Sequence, residues 1–212
     1  MGQYYKPVFL AKNNKPLAYV NSYDFGSGKK LSEHSWRLND FVGFVEQQLV
    51  NQPQRIVWAG DYAKPEPIES LTKEEIRKYL QVNSGSGYYS KEKIAEDSLT
   101  LYSLCDIVAR LTDANITDPY EHNFNLALPK RFKYLINYDK KEFVNKDKVP
   151  SEDGWQKHPL PLLTNEGNGQ GGGDFGYDEI KLNGVWARDL IGVSSKKADI
   201  KDFKELIFNI KP

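Results

Sequence analysis

The chain has 212 residues, of which 39% are hydrophobic and 13% aromatic, enough for a substantial core without disulfides or structural metals. Lysine plus arginine and aspartate plus glutamate each number 29, and this balance disfavours nucleic acid and anionic membranes as partners. The single cysteine, Cys105, cannot form an internal disulfide, so we expect a buried thiol in a reducing compartment.

The first residues of the sequence do not have the pattern of a targeting segment. The apolar part of residues 1–10 is too short for a secretory signal and lacks a small-residue cleavage site. No apolar run in the sequence approaches the length that spans a bilayer. We therefore expect a soluble, cytoplasmic protein with no membrane contact.

The first part of the chain predicts a hairpin, a helix and a strand. Aromatic and β-branched residues at 4–11 and 16–23 flank a turn that contains two asparagines, which is typical of a β-hairpin. A helix is expected to begin near Asn39 or Asp40, either of which can cap it. A short β-rich run follows at 55–59.

Two more helices are predicted before the middle of the chain. Thr72 and Glu75 have the spacing of a capping box and mark the start of one helix. Apolar residues recur every three or four positions up to Leu111, which indicates another helix that begins at Ser90 or Asp97.

The second part of the chain is richer in predicted β-structure. The ranges 131–138 and 142–145 predict a second hairpin. Two prolines favour an edge strand or an extended segment at 159–163. Residues 183–193 have the composition of a buried strand, and the apolar spacing at 199–210 is that of a helix.

The order of these elements indicates the fold class. Strands and helices do not alternate regularly, and no linker-like stretch divides the chain. We therefore predict a single α+β domain over residues 1–212, with a mainly antiparallel sheet and about four helices.

A glycine-rich segment, GNGQGGGD at 167–174, is the most unusual stretch of the sequence. It contains G-x-G-x-x-G, but prolines rather than a strand precede it, so a dinucleotide site is disfavoured. A P-loop is excluded as well, because no Gly-Lys-Ser/Thr follows the glycines. Glycine N–H groups can still surround an anion, with an arginine nearby. The candidate phosphate-binding residues are Gly169, Gly171, Gly172, Gly173 and Arg188.

Carboxylates beside the same glycines suggest a different ligand. Asp174 and Glu166 could supply oxygen atoms to a divalent cation, Mg²⁺ or Ca²⁺. A surface loop that binds no ligand is the alternative to both the phosphate site and the cation site.

A short internal similarity suggests where a site could lie. Residues 57–61 (VWAGD) and 185–189 (VWARD) share four of five residues. If both are neighbouring strands, Asp61 and Asp189 would reach one edge of the sheet and act as catalytic carboxylates. Trp58 and Trp186 would then contact the same ligand. The alternative is coincidence, because the similarity does not extend outward as a repeat would.

Two of the three histidines are candidate general bases. His34 follows Glu33, and His158 lies close in sequence to the glycine-rich segment. The alternative for each is a hydrogen-bonded structural histidine. None of the histidines is paired at zinc-ligand spacing, and no G-x-S-x-G motif marks a serine nucleophile.

Aromatic side chains lead to a second function hypothesis. Trp155 and Tyr177 fall in predicted loops and are the expected exposed anchors, although an aromatic core is the alternative for most of the others. The sequence thus leaves two hypotheses. The first is binding, or hydrolysis, of a small phosphate-bearing ligand such as a nucleotide. The second is a non-catalytic protein-interaction or inhibitor module.

Several segments resemble a family of bacterial hypothetical proteins that carries no assigned activity. The resemblance spans most of the chain and implies one domain, but it implies no reaction, cofactor or site. The similar segments are the MGQYY opening, EHSW at 33–36, VWAGDYA at 57–63, HPLPLLT at 158–164, GNGQGGGD at 167–174 and WARD at 186–189.

Overall fold

A computed structural model describes residues 2–50, 52–67, 71–83, 99–112, 132–169 and 181–212. Its centre is a nine-stranded sheet. The strands of this sheet are β1 (Tyr5–Leu10), β2 (Pro16–Val20), β3 (Gln54–Gly60), β4 (Ala109–Leu111), β5 (Tyr134–Asn137), β6 (Glu142–Asn145), β9 (Asn165–Glu166), β10 (Leu190–Ser194) and β11 (Lys204–Glu205). A separate hairpin is formed by β7 (Ser151–Glu152) and β8 (Trp155–Gln156).

Helices cover parts of both faces of the sheet. The α-helices within the described ranges are α1 (Leu31–His34), α2 (Asp40–Gln48), α3 (Lys73–Asn83), α4 (Leu101–Leu104) and α5 (Pro159–Thr164). Short 3₁₀ turns occur at Ser22–Phe25, Cys105–Ile107, Lys146–Lys148 and Lys197–Ile200. No helix in the described part of the chain is long and apolar enough to cross a bilayer.

The sheet is mixed but mainly antiparallel. Its strand order is β11-β6-β5-β10-β3-β1-β2-β4, with β9 paired to β3 outside this path. The pairs β1–β2, β1–β3, β3–β10, β10–β5 and β5–β6 are antiparallel, whereas β2–β4, β3–β9 and β6–β11 are parallel. The predicted α+β class with a mainly antiparallel sheet is confirmed.

Strand β3 is buried on both faces, and its side chains point alternately into two hydrophobic cores. Ile56 and Trp58 pack into the core beneath α2 and α5, while Val57 and Ala59 pack into a second core with α4. Cys105 belongs to this second core and is fully buried, as expected. A central strand of this kind fixes the positions of the segments on either side of it.

Local sequence signals correctly located several elements. The two hairpins appear as β1–β2 and β5–β6. Asn39 caps α2, its side-chain oxygen accepting the N–H of Val42 at 3.3 Å. The capping box also forms, since the N–H of Glu75 reaches the Thr72 hydroxyl and the Glu75 carboxylate accepts the N–H of Thr72.

Two predictions before residue 170 were wrong. The helix expected to extend to Leu111 stops early, and 109–111 is strand β4, which pairs with β2. The expected start of that helix, at Ser90 or Asp97, lies outside the described residues. The segment at 159–163 is helix α5 rather than an extended strand. Pro159 occupies the first helical turn, where its missing N–H costs no hydrogen bond.

Two predictions near the end of the chain were also wrong. Residues 181–189 form turns, and the strand begins only at Leu190, because Gly184 and Arg188 have φ values of 67° and 66° that interrupt an extended chain. Residues 199–210 do not form a helix. Leu206 and Ile210 pack against the main core and Phe208 is buried in it, whereas Ile207 is 63% exposed. This is the period-2 alternation of an extended segment.

Candidate functional site

His34 is a buried structural histidine. Its Nε2 accepts the indole N–H of Trp58 at 2.9 Å, so Nδ1 carries the proton and donates it to the carbonyl of Gly28 at 2.9 Å. Burial lowers the pKa of His34 to about 4. The ring is therefore neutral near pH 7, and both nitrogens have partners inside the protein, which leaves no site for proton transfer to a ligand.

His158 belongs to a buried charge cluster with Glu46 and Lys146. Its Nδ1 accepts the N–H of Leu160 and so caps α5, while Nε2 lies 3.3 Å from Oε1 of Glu46. The ammonium group of Lys146 forms an ion pair with the same oxygen, and its side chain is only 3% exposed. Burial alone would raise the pKa of Glu46, but the Lys146 charge holds it at about 2.

A short antiparallel backbone pairing lies next to the buried cluster of Glu46, Lys146 and His158. Residues 35–37 run antiparallel to residues 156–158, with Arg37 N–H donating to the Gln156 carbonyl at 3.0 Å and His158 N–H to the Ser35 carbonyl at 2.9 Å. Because side chains alternate along paired strands, Arg37, Gln156 and His158 point to the buried charges. The side chains on the opposite side are Trp36, Trp155 and Lys157.

Trp36 and Trp155 form an aromatic surface, against which the buried side chain of Lys157, only 5% exposed, packs. The rings of Trp36 and Trp155 lie 5.3 Å apart at an interplanar angle of 71°, an edge-to-face arrangement. The Nζ atom of Lys157 lies 3.6 Å from the centroid of the Trp36 ring. Burial lowers the pKa of Lys157 to about 8. The indole ring of Trp36 thus already holds one buried cation.

Trp155 is presented by the β7–β8 hairpin. The turn residues Asp153 and Gly154 have φ values of 49° and 82°, as a two-residue hairpin turn with positive φ at both positions requires. Trp155 follows the turn and is 49% exposed. A cleft of about 530 Å³, which we call the tryptophan cleft, lies beside it. The cleft is lined by Glu33, Trp36, Glu152, Asp153, Trp155 and Pro212.

A second cleft, of about 360 Å³, contains Arg188. The Nε and Nη2 atoms of Arg188 lie 2.7 and 2.8 Å from the two carboxylate oxygens of Glu166, and Nη1 lies 3.2 Å from Glu66. Burial opposes the charge, but the two carboxylates hold the pKa of Arg188 above its ordinary value. Arg188 and Glu166 therefore bind each other, which argues against a phosphate on the arginine and a metal on the glutamate.

The beginning of the glycine-rich segment packs against the first strand. A Cβ atom on Gly167 would lie 2.7 Å from the side-chain amide nitrogen of Gln3, so glycine is needed there for close approach. Gly169 has a φ of 72°. The other residues predicted for this segment lie outside the described residues: Gly171, Gly172, Gly173, Asp174 and Tyr177. No group of three potential metal ligands occurs in the described ranges.

The structure does not bring Asp61 and Asp189 together. Strand β10 is antiparallel to β3, and the carbonyl of Asp189 accepts the N–H of Ile56, near the start of β3. Asp61 follows the other end of β3, about 17 Å further along the strand. Each carboxylate also has an internal partner: Asp61 accepts the N–H of Tyr4, and Asp189 binds Lys140. The prediction that these two aspartates reach the same edge of the sheet is therefore wrong.

Trp58 and Trp186 are core residues rather than walls of a cleft. Both are fully buried. The Trp186 N–H donates to Glu142 at 2.9 Å, as that of Trp58 does to His34. Neither ring faces the tryptophan cleft or the cleft that contains Arg188.

Comparisons of the chain with protein-family models, curated proteins and solved structures give no match. The function of the site is therefore argued from its geometry alone.

The sequence indicated only part of the tryptophan cleft. Trp155 was expected to be exposed, and this is confirmed. Trp36 and the carboxylates of the cleft were not recognised as members of a site. The dipeptide Asp153-Gly154 is a strong hairpin signal that could have located the β7–β8 arm. The pairing with residues 35–37 has no local sequence signal, because it joins segments more than a hundred positions apart.

Replacement of Lys146 by Met should destabilise the protein strongly. The substitution leaves Glu46 buried without its main counter-charge, and such losses cost about 3–5 kcal/mol in the free energy of unfolding. Lys148→Met is the matched control, since Lys148 is 61% exposed and pairs with Glu205 on the surface, where ion pairs contribute less than about 1 kcal/mol. Urea unfolding measures both variants. Equal losses would contradict a special role for the buried cluster.

The stability of the protein should fall as the pH decreases from 6.5 towards 4. Unfolding raises the pKa of His34 from about 4 to its ordinary 6.5, so acid favours the unfolded chain. The neutral His34 ring contributes its full stabilisation above pH 6.5, and about 3 kcal/mol of this contribution is lost as the pH falls to 4. His158 acts in the same direction.

The His34→Gln variant tests this assignment through the slope of stability against pH. Between pH 6.5 and 4 the free energy of unfolding of the variant should fall less steeply than that of the wild type. The difference between the two slopes corresponds to at most one proton taken up on unfolding, and it does not depend on the absolute stability of the variant. Above pH 7.5 the two profiles should run parallel. Identical slopes below pH 6.5 would show that His34 is not the titrating group.

Proposed function

We propose that this protein is a non-catalytic interaction module that binds a protein partner at the tryptophan cleft. The observation that carries the proposal is the pairing of a 49% exposed Trp155 with Trp36 beside a cleft of about 530 Å³. Tryptophan is the residue most enriched among interface side chains that dominate binding energy. An exposed indole on a hairpin can enter a pocket of a partner without reorganisation of the sheet.

The rigidity of the surface supports this role. The pairing between residues 35–37 and 156–158 holds both rings, and the ion pair between Lys146 and Glu46 anchors the underside of that pairing. The Trp36 N–H also donates to the carbonyl of Ser32 at 2.9 Å. A surface that is ordered before binding loses less conformational entropy when the partner arrives.

The environments of the candidate catalytic groups also favour a non-catalytic role. His34 and His158 are buried and hydrogen-bonded. Burial raises the pKa of the Cys105 thiol to about 12, which suppresses the thiolate that a nucleophile requires. Asp61 and Asp189 each bind a neighbouring group, as described above.

The hypothesis that the protein binds a phosphate-bearing ligand stays a prediction and requires a different test. It requires a ligand at the glycine-rich segment that shifts the unfolding equilibrium by mass action. Because Arg188 is held by two carboxylates, we expect no change in the midpoint of thermal unfolding with nucleotides, inorganic phosphate, Mg²⁺ or Ca²⁺. A concentration-dependent rise with any nucleotide would favour the phosphate hypothesis over the interaction module.

The Trp155→Ala variant tests the interaction module directly. A photo-crosslinking residue in place of Ser151, an exposed residue of β7 next to Glu152 of the cleft, would capture the partner in cells, and the partner would then be purified for calorimetry. Trp155→Ala should weaken its binding at least about tenfold, as removal of an interface hot spot does. Tyr62→Ala is the control, since Tyr62 is 42% exposed but does not line the cleft.

Two results would overturn the proposal. One is the absence of any crosslinked partner that binds the purified protein. The other is equal binding by the Trp155→Ala and Tyr62→Ala variants. Circular dichroism of both variants must first show the wild-type fold.

A further inference from the structure

We propose that the partner presents an extended, positively charged segment to the tryptophan cleft, with an arginine or lysine side chain against the indole ring of Trp155. This inference rests on the proposed function and names the chemistry of the partner. It follows from three features of the cleft: its carboxylates, the exposed indole of Trp155, and the distribution of charge over several elements.

The carboxylates give the cleft a negative rim. Glu152 and Asp153 line it and form no ion pair with any residue in the described ranges. Glu33 lines it as well, with Oε2 accepting the N–H of Lys30 at 2.9 Å and Oε1 3.8 Å from the Lys30 ammonium. The whole chain has zero formal net charge, so this rim is a local feature. It would attract a cationic segment and repel an acidic one.

The buried contact of Lys157 with Trp36 shows that a cation fits on an indole of this pair, and it leaves Trp155 as the ring that a partner's cation would contact. An alkylammonium lies 3.6 Å from the centroid of the Trp36 ring, within the range of a cation–π interaction. Trp155 supplies a second indole at 71° to the first and exposes 49% of its surface. Guanidinium groups stack on indole rings more often than ammonium groups do, so arginine is the favoured side chain.

The spread of the carboxylates favours a segment over a small amine. Glu33 lies on α1, Glu152 on β7 and Asp153 on the turn that follows. A single small amine would reach only part of this rim, whereas basic residues spaced along an extended chain could meet all of it. Pro212 adds an apolar contact on the cleft wall. The occupant we assign is therefore a basic segment of a protein.

The test uses a labelled peptide in which arginine and glycine alternate, and fluorescence anisotropy measures its binding. An otherwise identical peptide with citrulline in place of arginine removes the charge and keeps the shape. The arginine peptide should bind at least about tenfold more tightly, because both the carboxylates and the cation–π contact require charge. Its affinity should also fall as the salt concentration rises.

Matched variants locate the interaction. The double variant Glu152→Gln/Asp153→Asn keeps the hairpin turn, since asparagine tolerates positive φ, and should weaken the arginine peptide by about fivefold or more. Trp155→Ala should weaken it by about tenfold. Glu74→Gln, a control at an exposed carboxylate on α3 outside the cleft, should leave the affinity unchanged.

The outcomes separate this inference from the proposed function. Equal binding of the arginine and citrulline peptides, including no binding of either, overturns the inference. Spermidine that binds through the same residues as tightly as the arginine peptide also overturns it, because the ligand would then be a small polyamine. If a crosslinked partner depends on Trp155 but not on Glu152 and Asp153, the proposed function stands and the basic segment is wrong.

Discussion

The ion pair between Glu46 and Lys146, with His158 on the same carboxylate oxygen, is the interaction on which the candidate surface depends. It joins three distant segments: helix α2, the turn after β6 and the start of α5. Charges that are buried this completely contribute less to net stability than to position, because the cost of their desolvation offsets much of their attraction. Their arrangement fixes where residues 156–158 can lie, and hence where Trp155 lies.

The buried charges and the exposed aromatic rings are opposite sides of one backbone pairing. Alternation sends Arg37 and Gln156 inward, where Gln156 accepts a hydrogen bond from Arg37 at 2.6 Å. The same alternation places Trp36 and Lys157 on the opposite side of the pairing, where they contact each other and Lys157 is only 5% exposed. One short ladder therefore satisfies buried polar groups and orders the proposed binding surface at the same time.

The sequence predicted elements whose signals are local. Hairpin turns, the Asn39 cap and the Thr72 capping box act within a few residues, and the structure contains all of them. Two misses, helix α5 with Pro159 in its first turn and the hairpin at Asp153-Gly154, had local signals, whereas others depend on contacts between distant segments. Arg188 keeps its positive φ beside Glu66, a residue 122 positions away, and no local pattern reports that contact. Trp155 could be recognised as exposed, but its partner Trp36 is brought to it only by the fold.

The two similar segments, VWAGD and VWARD, share a buried tryptophan but not a conformation, because residues 57–60 lie in β3 whereas residues 185–189 form turns. In both copies the tryptophan is fully buried and its N–H needs an internal acceptor, which His34 supplies to Trp58 and Glu142 supplies to Trp186. An indole buried without such an acceptor would lose a hydrogen bond to water and gain nothing in return. The repeated residues therefore satisfy two separate packing requirements. Groups whose hydrogen bonds are satisfied inside the protein have little left to offer a ligand. Glu152 and Asp153 are exposed and form no ion pair within the described ranges, so the geometry favours the tryptophan cleft over the conspicuous motifs.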